Sequence, residues 1–161
     1  MRIPPLKWLV RKILVHRNKS RKQTRILPLD SIRHAVVLVD AGEDGYESAV
    51  DEVDSFFHGE GIDVLVVKAG PKEIIWPGIL SKRVRFSGKE KDGGGLFVNL
   101  FGHPDLMSEY ESVCSTADFK IGREQLRGEV FDIVVTNPQA AVPSQKEVFV
   151  AIGDILKKIK K

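Results

Sequence analysis

Cysteine occurs once in this chain of 161 residues, at Cys114. A single thiol forms no intrachain bridge, and with four scattered histidines no Cys/His spacing of a structural zinc site arises. The sequence therefore predicts a fold without staples in a reducing setting, and a cytoplasmic location is the expectation. Long apolar runs are missing too. A spanning helix needs about 20 apolar residues, but Trp8-Leu9-Val10 is broken by Arg11-Lys12 before Ile13-Leu14-Val15 resumes. The same two charges interrupt the apolar region that a secretory signal requires. The phosphate-cradling patterns G-x-G-x-x-G and G-x-x-x-x-G-K-[ST] are both absent, so no cofactor is expected.

Carboxylates are absent from one end. Residues 1–29 hold nine Lys/Arg and no Asp or Glu, although the whole chain carries a net charge of only +3. Residues 30–156 hold twelve basic and twenty-two acidic residues, a net of −10, and Lys157, Lys158, Lys160 and Lys161 follow. The composition thus divides into an acidic body with two basic ends. The expected organisation is a basic amphipathic arm over 1–29 and an α/β domain over 30–161.

What is present in the body alternates between two periods. Ala35-Val36-Val37-Leu38-Val39 is a continuous run of the kind buried on both faces of a parallel sheet. Tyr46, Ala49, Val50, Val53, Phe56 and Phe57 form a helical stripe, with Asp44 and Glu47 in capping-box spacing before it. Asp63 to Lys68 reads as the next strand, closing a βαβ unit. Arg83 to Phe86 alternates charged and apolar residues as an edge strand does. Leu96 to Leu100 is a second buried run, and Pro104 to Thr116 has helical spacing through Leu106, Tyr110 and Val113. Phe119 to Gly122 and Phe131 to Thr136 are strands. Ser144 with Glu147 then caps a helix whose stripe is Val148, Ala151, Ile152, Ile155, Leu156 and Ile159. The order β-α-β-β-β-α-β-β-α predicts a single three-layer, Rossmann-like α/β sandwich with a mostly parallel sheet.

In such sheets ligands lie beyond the carboxyl ends of the strands. The residues there are Asp40, Lys68, Asn99 and Asn137, with His103 on the loop after the third long strand, and these form the candidate pocket for a small molecule. The turn Asp40 to Gly45 carries Asp40, Glu43 and Asp44, with Glu47 just beyond, and so many carboxylates oppose a bare phosphate. Their plainest role is to favour the positive end of the helix that follows. A haloacid-dehalogenase-type site needs a second Asp two residues after Asp40, and position 42 is glycine. No catalytic set or metal site is assigned. Cys114 reads as a small buried hydrophobe.

The arm carries the strongest charge signal. Leu6, Leu9, Val10 and Ile13 fall on one helical face, and Lys7, Arg11, Lys12, Arg17, Lys19, Arg21, Lys22 and Arg25 form a patch able to neutralise several phosphates. Three readings follow: docking on RNA or the ribosome, lying in an anionic membrane interface with Trp8 as an anchor, or packing of the apolar face back onto the body. The first is the expected function, and a pocket-using small-molecule protein or enzyme is the alternative.

Leu96-Phe97-Val98-Asn99-Leu100, the helix through Tyr110 to Thr116, Ala117-Asp118-Phe119-Lys120-Ile121-Gly122-Arg123 and Phe131-Asp132-Ile133-Val134-Val135 together resemble a family of short bacterial proteins of uncharacterised activity. That family shares a Lys/Arg-rich arm, a strand-helix-strand unit and an A-x-F-[KR]-[IV]-G strand after a helix. The same order is faintly similar to the N-terminal half of heptosyltransferase-like glycosyltransferases, whose second, nucleotide-sugar-binding half has no counterpart here. The resemblance implies a scaffold and no activity.

Overall fold

The β-branched run at 34–40 becomes the centre of the fold because both of its faces find cover. The computed structural model describes residues 9, 12, 13, 16, 19, 20, 23–75, 79, 80, 95–102, 105–126, 128–135 and 143–159. The elements are β1 (His34–Asp40), α1 (Tyr46–Gly59), β2 (Asp63–Ala69), β3 (Ile74–Ile75), β4 (Ile79–Leu80), β5 (Gly95–Asn99), α2 (Leu106–Cys114), β6 (Phe119–Gly122), β7 (Ile133–Val134) and α3 (Gln145–Lys158). Five strands form one sheet in the order β2-β1-β5-β6-β7, every neighbouring pair parallel. Counted along the chain without the short hairpin, this is the 2-1-3-4-5 order of a doubly wound sheet.

Alternation along the strands sorts their side chains into two cores. Ala35, Val37, Val39, Leu96, Val98, Phe119 and Ile121 face α1 and α3, meeting Val53, Phe57, Phe149, Ile152 and Leu156. Val36, Leu38, Phe97, Val67 and Ala69 face the opposite way, toward Met107 of α2 and toward Phe131. The molecule is therefore the three-layer Rossmann-like sandwich that the pattern predicts. The interface of α1 with α3 is built on rings: Phe56 meets Phe57 and Phe149 edge-on at centroid distances of 5.1 and 5.7 Å. Such pairs add about 0.5–1.5 kcal/mol beyond the area they bury. Gly153 of α3 lets the helices close, since a Cβ there would lie 3.1 Å from the Phe56 ring.

Local chemistry explains most element boundaries. Ser144 accepts from Glu147 N–H at 3.2 Å and Glu147 Oε2 accepts from Ser144 N–H at 3.3 Å, the expected capping box of α3. Asp105 caps α2 in the same way, accepting from Ser108 N–H at 2.8 Å. The start of α1 differs from expectation: its N-cap is Gly45 at φ +79°, with no side-chain cap bond, so Asp44 lies outside the helix. Glycine enters the left-handed region without a Cβ penalty, which moves the helix start past the acidic residue. The hairpin of β3 and β4 is a further difference, two short isoleucine-bearing pieces that the periodicity does not reveal. The expected strand over Arg83 to Phe86 lies outside the described residues. The expected strand from Phe131 begins only at Ile133, because the Phe131 ring covers Gly122 and the Asp132 carboxylate accepts from Lys120 N–H at 2.9 Å.

Candidate functional site

Two regions answer to the sequence reading, and they lie on opposite edges of the sheet. The first is the carboxyl edge. The connection from β1 to β2 carries α1 on one face, and that from β5 to β6 carries α2 on the other, so the switch point falls between β1 and β5. Asp40 ends β1 and Asn99 ends β5 on this crevice. Lys68, paired with Val39 across the strands, is exposed. His103 and Asn137 lie outside the described residues.

Among the described residues, the ends of β1 and β5 are held by the protein's own polar groups. Asp40 N–H donates to Gln145 Oε1 at 2.8 Å and Gln145 Nε2 donates back to Asp40 O at 2.9 Å. Gln145 is 2% exposed, so the first turn of α3 sits directly on the end of β1. Asp40 Oδ1 accepts from Gly42 N–H at 2.9 Å, folding the following turn onto itself. Asn99, 4% exposed, donates from Nδ2 to Ser112 Oγ at 2.9 Å and accepts from Phe101 N–H at 2.9 Å. Its amide pins the end of β5 to α2, with both of its polar atoms engaged in the fold.

Arg123 completes the closure. Its guanidinium is nine-tenths buried, donates from Nη1 to Leu100 O and from Nη2 to Pro143 O, both at 2.9 Å, and lies 3.6 Å from the Glu43 carboxylate. It stacks so closely on Gly102 that a Cβ there would be 3.3 Å from its central carbon. Arg123 and Gln145 are the residues that the strand-end inventory missed. The signal for Arg123 was available, since it directly follows Gly122 at the carboxyl end of β6. Among the described residues, no group of three or more His, Cys, Asp or Glu side chains is arranged to hold a metal ion. An open groove of about 420 Å³ at the far end of α1 is lined by Asp54, Ser55, His58, Ile62, Asp63 and Val64, with all four polar side chains in solvent. Cys114 is buried beside Tyr110 and Leu106, as a small hydrophobe would be.

The second region is the amino edge, where the basic arm joins the body. Ser20 N–H donates to Val113 O at the end of α2, at 3.0 Å. Thr24 Oγ1 donates to Asp132 Oδ1 just before β7, at 2.8 Å, and Arg25 N–H donates to Asp118 O just before β6, at 2.8 Å. Leu27 and Leu29 then enter the core that α1 and α3 cover, and Leu29 N–H donates to Ile159 O beyond the end of α3 at 2.9 Å. Ser20 and residues 23–29 thus form a strap under the sheet, passing from the α2 face to the α3 face.

Ahead of the strap in sequence, Leu9, Lys12, Ile13 and His16 are helical and exposed, and Lys19 and Arg25 are exposed as well. Lys157 and Lys158 at the end of α3 add exposed positive charge on the same edge. Glu43, Asp44 and Glu47 sit at the opposite edge, on and after the turn that follows β1. Of the arm's expected phosphate-contacting residues, Lys12, Lys19 and Arg25 are therefore on the surface, while Lys7, Arg11, Arg17, Arg21 and Lys22 lie outside the described residues. No helix among the described residues is long and apolar enough to cross a membrane. Compared with family models, curated proteins and solved structures, the chain matches none.

Proposed function

We propose that this protein acts by docking rather than by catalysis, and that its basic N-terminal arm seats the acidic α/β body on a phosphate-bearing partner. The observation that carries the reading is the exposure of Lys12, Lys19 and Arg25 within a 29-residue stretch that holds no carboxylate. Exposed positive side chains can replace the counterions of a polyanion, which is the source of salt-dependent affinity. Docking over small-molecule chemistry is supported by the described residues at the strand ends, where Gln145, Asn99 and Arg123 give polar atoms to the backbone and to neighbouring side chains.

The charge by itself suits RNA, ribosomal RNA included. A second reading, an anionic membrane surface, is favoured by the exposure of Leu9 and Ile13. The test common to both uses the full-length protein and the variant Lys12→Glu/Lys19→Glu/Arg25→Glu, whose substituted side chains are in solvent. Binding to RNA and to anionic vesicles is measured between about 50 and about 200 mM salt. If about six phosphates are contacted, affinity falls on the order of 10³-fold over that range, and the triple variant loses most of the low-salt affinity. Equal binding by the variant, or binding to neither polyanion, overturns the proposal.

A further inference from the structure

We infer that the phosphate-bearing partner is the surface of an anionic lipid bilayer, with Leu9 and Ile13 entering the boundary between headgroups and acyl chains while the arm's basic residues meet the headgroups. The inference rests on the docking reading above and names its partner.

Leu9 and Ile13 are 49% and 54% exposed, and neither belongs to a core cluster. Four residues apart in a helix, they lie on one side, one turn above the other. Five large apolar residues are exposed among those described, and three of them, Leu9, Ile13 and Ile26, fall in the arm and its strap. The sequence extends the same face with Leu6 and Val10. An apolar stripe of this kind, bordered by lysine and arginine, needs a partner that offers apolar depth and negative charge together. RNA offers the charge but no place for aliphatic side chains, since its bases stack on aromatic rings and guanidinium planes. A bilayer interface with anionic lipids offers both at the depth an amphipathic helix reaches, about 5–10 Å.

The layout of the fold suits the same surface. The strap holds the arm at the amino edge of the sheet, and Lys157 and Lys158 lie on that edge too. The turn with Glu43 and Asp44 is at the other end of β1. Seven residues of strand, at about 3.3 Å each, place that turn roughly 23 Å away. This is more than two Debye lengths at physiological salt, about 8 Å each, so the acidic turn is screened from a surface that the arm touches, and the exposed carboxylates on the amino edge itself include Asp30 and Asp63.

The test measures co-sedimentation of the full-length protein with vesicles of phosphatidylcholine alone and of phosphatidylcholine mixed with phosphatidylglycerol, and in parallel its binding to single-stranded RNA. Three variants enter: Ile13→Asp, Leu9→Asp/Ile13→Asp and Lys12→Glu/Lys19→Glu. All alter exposed side chains, and circular dichroism confirms that the body stays folded. The expected result is binding to the phosphatidylglycerol-containing vesicles only, weakened about tenfold or more by Ile13→Asp, further by the double aspartate variant, and also by the charge reversal. RNA binding is unchanged by Ile13→Asp. Vesicle binding that ignores Leu9 and Ile13, or binding to RNA without binding to vesicles, overturns the lipid inference and leaves the docking proposal standing. Binding to neither overturns both.

Discussion

Gln145 and Asp40 hold each other by a reciprocal pair of hydrogen bonds, side-chain amide to main chain, that joins the first residue of α3 to the last residue of β1 across 105 positions of sequence. The pair gives Asp40 N–H its partner and gives Asp40 O, which also accepts from Glu43 N–H at 3.2 Å, a second donor. Replacing Gln145 with Leu keeps the apolar bulk and removes both bonds, leaving Asp40 N–H without this partner in a site that is 2% exposed at Gln145, while Asp40 O keeps the bond from Glu43. A loss of about 1–3 kcal/mol is expected, the cost of one main-chain group left unsatisfied, measured by urea denaturation with an unchanged m-value.

Arg123 and Glu43 form an ion pair whose two members matter unequally. Glu43 is partly exposed and 3.6 Å away, a geometry worth at most about 1 kcal/mol. The guanidinium also satisfies two carbonyls, Leu100 O and Pro143 O. Arg123→Met is therefore expected to destabilise the protein by about 2–4 kcal/mol, and Glu43→Gln by less than about 1 kcal/mol. Equal losses in thermal denaturation would show that the charge pair, rather than the carbonyl bonds, is what Arg123 supplies.

Gly122 ends β6 beneath the ring of Phe131. A Cβ at this position would lie 2.4 Å from the ring edge, inside any real contact, and Phe131 is 5% exposed. Gly122→Ala is expected to cost about 1–3 kcal/mol by overpacking. The double substitution Gly122→Ala/Phe131→Leu is expected to recover part of that loss, seen as a non-additive double-mutant cycle in chemical denaturation.

Thr24 fastens the strap through its hydroxyl. Thr24→Val preserves shape and removes the bond to Asp132 Oδ1, while Asp132 Oδ2 keeps the bond from Lys120 N–H. Global stability falls by about 0.5–1.5 kcal/mol. Trypsin cleavage after Arg25, followed by mass spectrometry under native conditions, accelerates more than cleavage after Lys68. Equal acceleration at both sites would mean that Thr24 supports the whole fold rather than the strap.

Much of this architecture was legible because the strands are buried on both faces. Ala35 to Val39 and Leu96 to Val98 are continuous apolar or β-branched runs, the kind that a parallel sheet covered on both sides uses. The stripe from Val148 to Leu156 and the cap at Ser144 were equally plain, since both depend on neighbours within four residues. The start of α1 was not, because Asp44 and Glu47 have the right spacing for a cap while Gly45 takes the left-handed conformation that begins the helix. The strap was also hidden. Its anchors are main-chain carbonyls of Val113, Asp118 and Ile159, and a carbonyl has no sequence signature.

At the candidate site the reading found the crevice but not its occupant. Asp40 and Asn99 were placed on the correct edge from strand ends alone. That Gln145 and Arg123 fill the space between them depends on where α3 and β6 arrive in three dimensions. The arm was legible from charge, since acid-free stretches need no fold to be seen. Its outward-facing Leu9 and Ile13 were not, because amphipathic spacing describes a helix packed on its own body and a helix packed on something else equally well.

The strap has a kinetic consequence. Thr24 leaves the synthesis machinery long before Asp132, 108 positions later in the chain. At about 5–20 residues per second the interval is roughly five to twenty seconds. For that time the basic segment is attached to a nascent chain that has nothing to fasten it to, and contacts this distant in sequence are among the slowest to close. The segment that carries Thr24 is thus made well before its anchor at Asp132, and its orientation relative to the body is fixed late.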